Sequence, residues 1–236
     1  MMIFADGWRY DPDEESERTA ALGPISRAEP PLPRALLDSE LMRRGGCLFI
    51  DSLLPPNLLT GLCAEANELQ DQARHTIWPG SLQVDWRGGE PARSYAGATG
   101  GPAQTSIFAS PDLANYISKI CGIRVKLAGV GSFSYYEPGD FLALHRDIVA
   151  CDITLLTCLR DTATDTSDRR GLRIYPAYAR LPLTQLRADD APAHIDVYLD
   201  RGQTAVLLGG IVPHEVLPMT ADQHRTVSVV CMTALV

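Results

Sequence analysis

A histidine and an aspartate stand two residues apart in the apolar stretch FLALHRDIVA, at positions 145 and 147. In a β-strand, residues i and i+2 point to the same face, so His145 and Asp147 would point together and Arg146 would point away. Both side chains can bind a metal ion. A hydrogen-bonded pair at a strand end would use the same residues, and so short a pattern often arises by chance. The pair alone leaves a metal site, a polar pair and accident open.

A second histidine, His214, follows in VPHEVLP, between apolar runs late in the chain. Two imidazoles and one carboxylate can occupy one triangular face of an ion and leave positions open for substrate and oxygen. This facial triad is typical of non-haem Fe(II) oxygenases, although zinc also accepts such a set of ligands. His145, Asp147 and His214 are therefore the predicted metal ligands and catalytic residues.

An arginine follows His214 by eleven residues and opens the apolar run RTVSVVCM. A buried Arg225 needs an anion, and its planar guanidinium matches a carboxylate in a bidentate pair. A metal with open positions near a deep arginine predicts a ligand that chelates with one end and carries a carboxylate at the other. 2-Oxoglutarate has that shape.

The elements that must position these residues are mostly short strands. From residue 123 onward, short apolar runs alternate with turn clusters such as EPGD and DRG, which is typical of a sandwich or barrel. We predict a mainly β fold, a double-stranded β-helix (a jelly roll of the cupin-like kind), with supporting N-terminal α-helices packed on one sheet.

The segment before residue 123 contains one predicted strand, GGCLFIDSLL at 45–54, and two predicted helices. The first helix begins at Pro56, a residue suited to the first helical position. The second has Ser110 as its N-cap and Gly122 at its end. Between them, 75–109 is polar and Gly-rich, which predicts an irregular loop, either a functional lid or a flexible surface segment.

The expected organisation is one domain with a lead-in. Residues 1–36 are acidic and then proline-rich, which predicts an N-terminal arm. Residues 37–236 would form a single jelly-roll domain, with helical support at 55–122 and the core barrel at 123–236.

Composition excludes several classes of function. The net charge of −8 argues against nucleic acid as a partner, because phosphate binding needs a basic surface. The chain starts without the pattern of a signal peptide, and no apolar run approaches the roughly 20 residues of a membrane span. Six cysteines without a CxxC pair, mostly in apolar runs, predict buried reduced thiols in a cytoplasmic protein. The oligomeric state stays open.

The ordered set of HxD at 145–147, His214 and Arg225 resembles the Fe(II)/2-oxoglutarate-dependent dioxygenases. The local words YEPGDFLALHRD, LRIYP and PHEVLP look like the prolyl-hydroxylase-like branch of that superfamily. The resemblance covers residues 123–236, and the lead-in strand and helix at 45–72 are similar to that branch as well. HxD is a weak motif alone, whereas the ordered set is specific.

The resemblance implies that His145, Asp147 and His214 bind Fe(II) and that Arg225 pairs with the distal carboxylate of 2-oxoglutarate. Tyr136 in YEPG would line the co-substrate pocket, with the adjacent Tyr135 as the other choice. It also implies that O2 is consumed, that succinate and CO2 are released, and that ascorbate can act as a reductant. The intact Asp147 argues against halogenation, for which relatives carry a small residue there.

Two positions depart from the pattern of the superfamily. On the strand after HxD, some relatives carry a tyrosine that binds the co-substrate carboxylate, where this chain has Thr157 and Cys158. Many relatives have a serine two residues after the arginine, where this chain has Val227, with Ser228 one residue further. The anchoring of 2-oxoglutarate is therefore expected to differ in detail, whereas the iron ligands are intact.

The expected substrate is a small metabolite, amino-acid-like or from secondary metabolism, oxidised at an unactivated C–H bond. Hydroxylation is the first expectation, and desaturation, cyclisation and epimerisation share its chemistry. Substrate-binding candidates are Arg173 in GLRIYP and Trp86, Arg87 and Arg93 in the long loop, which would meet an anionic or aromatic group. Surface placement is the alternative for the loop residues.

Two other functions remain open. One is a prolyl-hydroxylase-like oxygenase that acts on a peptide or protein residue. The other is a non-catalytic cupin-like binding module, which would have no need of Arg225. An open groove beside the metal would favour the peptide, and a closed pocket would favour the metabolite.

Overall fold

The computed structural model describes residues 2–3, 9–10, 33–80, 87, 91–129, 131–163 and 169–235. The chain divides into two units, Met1–Pro31 and Leu32–Val236. In the first unit, β1 (Met2–Ile3) and β2 (Arg9–Tyr10) form an antiparallel pair. The second unit holds the other described elements. Its first helix, α1 (Arg34–Leu37), begins within the segment that was expected to be an arm.

The second unit is built mainly from antiparallel strands, as predicted. These are β3 (Cys47–Ile50), β4 (Arg74–Trp78), β5 (Arg93–Thr99), β6 (Val125–Leu127), β7 (Ser132–Tyr136), β8 (Phe141–His145), β9 (Ile153–Asp161), β10 (Leu172–Ile174), β11 (Ile195–Val197), β12 (Thr204–Leu207), β13 (His214–Val216) and β14 (Arg225–Ala234). They pair in the order β11-β10-β13-β8-β5-β7-β14-β9-β12-β3, with β4 beside β5 and β6 beside β14.

Strand β5 joins the two halves of this sheet. Its first residues, Arg93 and Ser94, lie opposite β8, whereas Ala96 to Thr99 lie opposite β7. One wall is therefore formed by β8, β13, β10 and β11, and the other by β7, β14, β9, β12 and β3. The sheet curls into the jelly-roll arrangement that the strand pattern predicts.

The helices pack against the second wall. They are α2 (Glu40–Arg43), α3 (Pro56–Gln70), α4 (Pro102–Phe108) and α5 (Pro111–Cys121). The short helix α6 (Leu183–Arg187) instead packs with Tyr175 and with Leu144 of β8, in the first wall. Leu62 and Ala66 of α3 and Ile117 of α5 are buried in one core with strand residues such as Leu155 and Val230. None of the described helices has the length and apolar character that crossing a lipid bilayer requires.

The ends of α5 lie where the sequence predicts them, although the expected N-cap hydrogen bond is not formed. Pro111 is its first residue, and Gly122 ends it in the left-handed conformation with φ of 69°. Ser110 has the extended backbone of an N-cap, but its side chain makes no capping hydrogen bond. The neighbouring helix α4 is capped by a side chain from helix α3. The Glu65 carboxylate accepts hydrogen bonds from the backbone N–H groups of Ala103 and Gln104, in the first turn of α4.

The prediction of an irregular loop over 75–109 is wrong for most of its described residues. Strands β4 and β5 and helix α4 lie there. The sequence of β5, RSYAGAT, contains Gly, Ala and Ser, which have little intrinsic strand preference. Its pairing with β4, β7 and β8 decides its conformation. Trp86 lies outside the described residues.

The expectation of reduced thiols is wrong for one pair of cysteines. Cys151 and Cys231 form a disulfide, with their Cα atoms 4.9 Å apart. Cys231 lies on β14, and Cys151 lies in the turn that packs against that strand between β8 and β9. Because 80 residues separate the two, no local spacing could reveal the pairing. Cys47, Cys63, Cys121 and Cys158 are free thiols.

Candidate metal centre

A β-bulge aims the first histidine at the second. Strand β13 pairs with β8, with His214 opposite His145 and Val216 opposite Leu142. Two residues of β8 therefore oppose one residue of β13 between these pairs. Bulges of this kind re-aim side chains and often lie beside active sites. Here the imidazole rings face each other, with centroids 4.3 Å apart.

The three predicted ligands meet in the structure. The Nε2 atoms of His145 and His214 lie 3.5 and 3.6 Å from Asp147 Oδ1. One ligand atom from each residue falls within 4.8 Å of the others. The side chains of the two histidines and of Asp147 are only 10%, 5% and 18% exposed, so the ligand atoms face a largely desolvated interior.

Backbone carbonyls fix how each imidazole is protonated. His145 Nδ1 lies 2.8 Å from the carbonyl oxygen of Ala143, and His214 Nδ1 lies 2.9 Å from that of Val212. Each Nδ1 therefore carries the proton and donates it, which leaves the Nε2 lone pair free for an ion. Two imidazole nitrogens and one carboxylate oxygen on converging side chains fit Fe(II).

Hydrogen bonds from neighbouring segments fix the position of Asp147. The Thr154 hydroxyl donates a hydrogen bond to Asp147 Oδ2. The backbone N–H of Asp147 donates to the carbonyl oxygen of Gly209 at 2.9 Å. A Cβ atom at Gly209 would lie 1.9 Å from that carboxylate oxygen, so only glycine fits there. Sequence reasoning missed Thr154, because nothing in its spacing from Asp147 marks it as a partner.

The charges of the centre shift the pKa values of its members. Burial and the neighbouring His214 lower the pKa of His145. Burial would also lower the pKa of His214, but the Asp147 carboxylate outweighs it, and that pKa is raised. Burial alone would raise the pKa of Asp147, whereas the two imidazoles beside it hold that pKa well below its usual range. Asp147 is therefore an anion at neutral pH.

Arg146, which lies between two of the ligands in the sequence, stabilises the backbone around the centre. It is 1% exposed, and its guanidinium donates to the carbonyl oxygens of Ile211, Tyr178 and Leu181 at 2.6 to 2.9 Å. Ile211 lies three residues before His214. The arginine therefore ties the end of β8 to the segment that delivers the second histidine.

The metal ligands open into a cavity of about 330 Å³ between the two walls. Alternate residues of β14 line it, as the two-residue period of a strand requires. The lining from the neighbouring strands is Arg93 and Tyr95 of β5, Ser132, Ser134 and Tyr136 of β7, Leu142 of β8, Thr154 and Leu156 of β9, Leu172 of β10, and Val216 of β13.

Arg225 lines this cavity from the first residue of β14. It is 4% exposed, and its Nε atom has no hydrogen-bond partner among the described residues. A buried N–H without a partner costs about 1–3 kcal/mol, which an anion in the cavity would recover. Arg225 therefore fits the carboxylate of a bound ligand.

The two candidate tyrosines face opposite sides of β7. Tyr136 lies opposite Arg225 in the register and lines the cavity. Burial and the nearby Tyr95 raise its pKa, so its hydroxyl stays protonated at neutral pH. The Tyr135 hydroxyl instead donates to the Ala66 carbonyl at 2.6 Å, on the side of helix α3.

The residues at the positions where this chain departs from the superfamily also lie on different faces of their strands. Val227 lines the cavity, two residues along β14 from Arg225, where many relatives have serine. Ser228 is buried on the other face and accepts from the Gln104 side chain at 2.7 Å. Thr157 bonds the Thr204 hydroxyl on the next strand at 2.9 Å. Neither hydroxyl takes the place of the missing groups.

The structure describes three of the substrate candidates, Arg87, Arg93 and Arg173, and only Arg93 lines the cavity, from β5. The guanidinium of Arg87 instead binds Asp152 and the backbone of the turn at 148–152. Arg173 follows Leu172, which lines the cavity, so its side chain leaves β10 on the opposite face. There it forms a bidentate pair with Asp196, at 2.6 and 2.9 Å. The expectation that Arg173 meets the substrate is therefore corrected.

The fold that surrounds this centre recurs in solved structures of other proteins. No protein-family model and no curated protein sequence match the chain. Solved structures do. The epimerase SnoN from nogalamycin biosynthesis, a non-haem alpha-ketoglutarate-dependent enzyme, shares 16% identity at a TM-score of 0.62, covering 85% of this chain and 83% of its own.

Two further solved structures are similar. A prolyl-4-hydroxylase from Pseudomonas putida has 19% identity and a TM-score of 0.55, over 85% of this chain and 98% of its own. HygX from Streptomyces hygroscopicus, with nickel, 2-oxoglutarate and hygromycin B bound, has 12% identity and a TM-score of 0.59, over 86% and 88%. At these identities the likeness establishes the fold, and the predicted jelly roll is confirmed.

Proposed function

We propose that the protein is an Fe(II)- and 2-oxoglutarate-dependent oxygenase that acts on a small molecule. The observation that carries this proposal is the pairing of two features in one cavity. His145, Asp147 and His214 bring three ligand atoms together at one place, and Arg225 presents, at another, a buried N–H that has no partner among the described residues. A ligand that chelates metal and ends in a carboxylate satisfies both.

The residues of the chain would bind and orient. His145, Asp147 and His214 would hold Fe(II) on one face and leave the other positions open. Arg225 would pair with the distal carboxylate of 2-oxoglutarate, and the Tyr136 hydroxyl would donate a hydrogen bond nearby. Fe(II) with 2-oxoglutarate and O2 supplies the oxidising chemistry for an unactivated C–H bond. The apolar strand walls exclude water from it.

The size of the cavity favours a small substrate. Its volume of about 330 Å³ lies at the lower end of the range of roughly 300–1,000 Å³ for small-molecule sites. Among the similar structures, SnoN has been captured with nogalamycin RO and HygX with hygromycin B. Hydroxylation is the proposed reaction, with desaturation, cyclisation and epimerisation as alternatives. The likeness to a prolyl-4-hydroxylase supports a peptide substrate as the second candidate.

The first test is an anaerobic titration. Fe(II) and then 2-oxoglutarate are added to metal-free protein, and the visible metal-to-ligand charge-transfer band is recorded. We expect a band in the wild type, no band in His145→Ala, and a need for more 2-oxoglutarate in Arg225→Ala. Folded, iron-loaded wild type without a band would contradict the proposal and favour a non-catalytic binding module.

Arg93 is the proposed substrate contact, because it faces the cavity from β5 beside Tyr95. Once a substrate is found by screening, Arg93→Ala should raise its KM and leave the 2-oxoglutarate titration unchanged. Arg173→Ala is the matched control, since that arginine pairs with Asp196 on the outer face. An unchanged substrate KM in Arg93→Ala would remove Arg93 from the site.

A further inference from the structure

One arginine outside the ligand set holds the segment that follows Asp147. The guanidinium of Arg87 lies over the turn at 148–152. Its Nη1 donates to Asp152 Oδ1 at 2.7 Å. Its Nη2 lies within hydrogen-bonding distance of three backbone carbonyl oxygens, those of Ile148 at 2.8 Å, Val149 at 3.1 Å and Cys151 at 3.0 Å.

The same guanidinium also touches the segment that leads to His214. A Cβ atom built on Gly210 would lie 2.4 Å from Arg87 Nη2 and 2.8 Å from the Cys151 carbonyl oxygen. Gly210 therefore leaves the space in which the guanidinium sits. Ile148 directly follows Asp147, and Gly210 lies four residues before His214. Arg87 thus occupies the junction of the two segments that carry metal ligands.

The contact is buried and paired, so its loss would be felt locally. The side chains of Arg87 and Asp152 are each 9% exposed. The other carboxylate oxygen of Asp152 accepts from the Ala234 backbone N–H at 2.8 Å, which joins the turn to the end of β14. Lysine could keep the charge but could not reproduce the planar fork that spans a carboxylate and several carbonyls.

We propose that Arg87 is a positioning residue for the metal centre. It fixes the backbone of 148–152 against the turn at Gly209 and Gly210, and so sets the direction of the Asp147 carboxylate relative to His214. This inference rests on the proposed function, because it assigns a role toward the metal that the ligands would hold. Groups that orient metal ligands typically change metal affinity by about 10- to 100-fold when they are removed.

The test uses Co(II) as the probe, since its absorption spectrum reports coordination geometry without turnover. Metal-free wild type, Arg87→Ala, Arg87→Lys and Gly210→Ala are titrated with Co(II), and each unfolding temperature is measured. We expect the Arg87 and Gly210 variants to bind Co(II) at least about tenfold more weakly, with an altered spectrum at saturation. Ile117→Ala, in the core of helix α5, is the control for lost stability, and its Co(II) affinity and spectrum should match the wild type.

Each outcome decides the question. If Arg87→Ala does not fold, Arg87→Lys and Gly210→Ala carry the test. Wild-type affinity and spectrum in these variants would overturn the inference while leaving the proposed metal site standing. An equal loss of Co(II) affinity in Ile117→Ala would also overturn it, because the effect would then be general instability. A wild type that binds no Co(II) would overturn the proposed function and this inference with it.

Discussion

His145 and His214 each commit one ring nitrogen to the backbone and offer the other to the cavity. This division matters more than their proximity, because an imidazole with an undecided tautomer is a weaker ligand. The carbonyls of Ala143 and Val212 make the choice, and each belongs to the residue two positions before its histidine. The backbone conformation of two short segments therefore prepares both nitrogen ligands.

Thr154 has the corresponding part for the carboxylate, through its bond to Asp147 Oδ2. Thr154→Val keeps the shape of the side chain and removes the donor. We expect metal affinity to fall by about 10- to 100-fold with little change in fold, because Asp147 can then rotate. Metal titration of the purified variant checks this, with Thr157→Val as control, since that hydroxyl bonds Thr204 instead. Wild-type affinity in Thr154→Val would contradict the expectation.

The protonation of His214 gives metal binding a pH dependence. Because Asp147 raises the pKa of His214, the metal-free protein holds a proton there up to a higher pH than an ordinary histidine would. The metal must displace that proton, so affinity should fall as pH drops through this raised pKa, by about tenfold per unit below it. His145, whose pKa is lowered, adds a second loss only at lower pH.

Titrations with a divalent metal between about pH 5.5 and about pH 8, the range in which histidines change charge, would measure this effect. Asp147 stays ionised over that range, because its pKa is held low. An affinity that does not change across the range would show that His214 does not carry the displaced proton.

At the scale of elements, two glycines of the helical layer make opposite demands. Gly122 ends α5 with φ of 69°, and a Cβ there would meet the Glu40 side chain at 3.0 Å. Gly61 lies in the middle of α3, and a Cβ there would meet nothing within 4 Å. The first glycine is required by its backbone, and the second only weakens its helix.

Gly122→Ala should therefore destabilise the protein by about 1–2 kcal/mol, because a left-handed conformation costs about that much for a residue with a Cβ. Gly61→Ala should stabilise it by about 0.5–1 kcal/mol. Urea unfolding of both variants measures the two changes against the wild type. Changes of the same sign would show that the end of α5 does not constrain Gly122 as described.

At the scale of the whole molecule, the Cys151–Cys231 disulfide closes a long loop of the second unit. Residues 80 apart are joined, and the loop contains strands β9 to β13. Such a bond stabilises chiefly by restricting the unfolded chain, typically by about 2–5 kcal/mol. Disulfides are rare in cytosolic proteins, so this bond weighs against the cytoplasmic location that the sequence analysis expects.

Cys231→Ser should lower the free energy of unfolding by about 2–5 kcal/mol, and a dithiol reductant should lower the wild type to a similar value. Cys63→Ser is the matched control, since Cys63 is a free thiol, and it should leave stability nearly unchanged. Thiol titration of the unfolded protein counts the cysteines that are reduced. Six reactive thiols in the untreated protein would contradict the disulfide.

The sequence by itself determined the kind of fold and the candidate set of metal ligands. Strand periodicity, the HxD spacing and the ends of helices are local properties, so His145, Asp147, His214, Arg225 and the bounds of α5 could be named from the printed residues. The choice between Tyr135 and Tyr136 was not local in this sense. Which face of β7 each side chain occupies depends on the register with β14 and on helix α3 behind it.

Only the tertiary structure decided the rest, because the remaining contacts join distant segments. The strand character of β5, the salt bridge that Arg173 forms with Asp196 on the outer face, and the disulfide all depend on neighbours from other parts of the chain. The same is true of Thr154 and Arg87, which act on Asp147 or on the turn beside it. Non-local pairing leaves no periodic trace in a sequence, whereas a metal ligand set carries its own chemistry in the residue types.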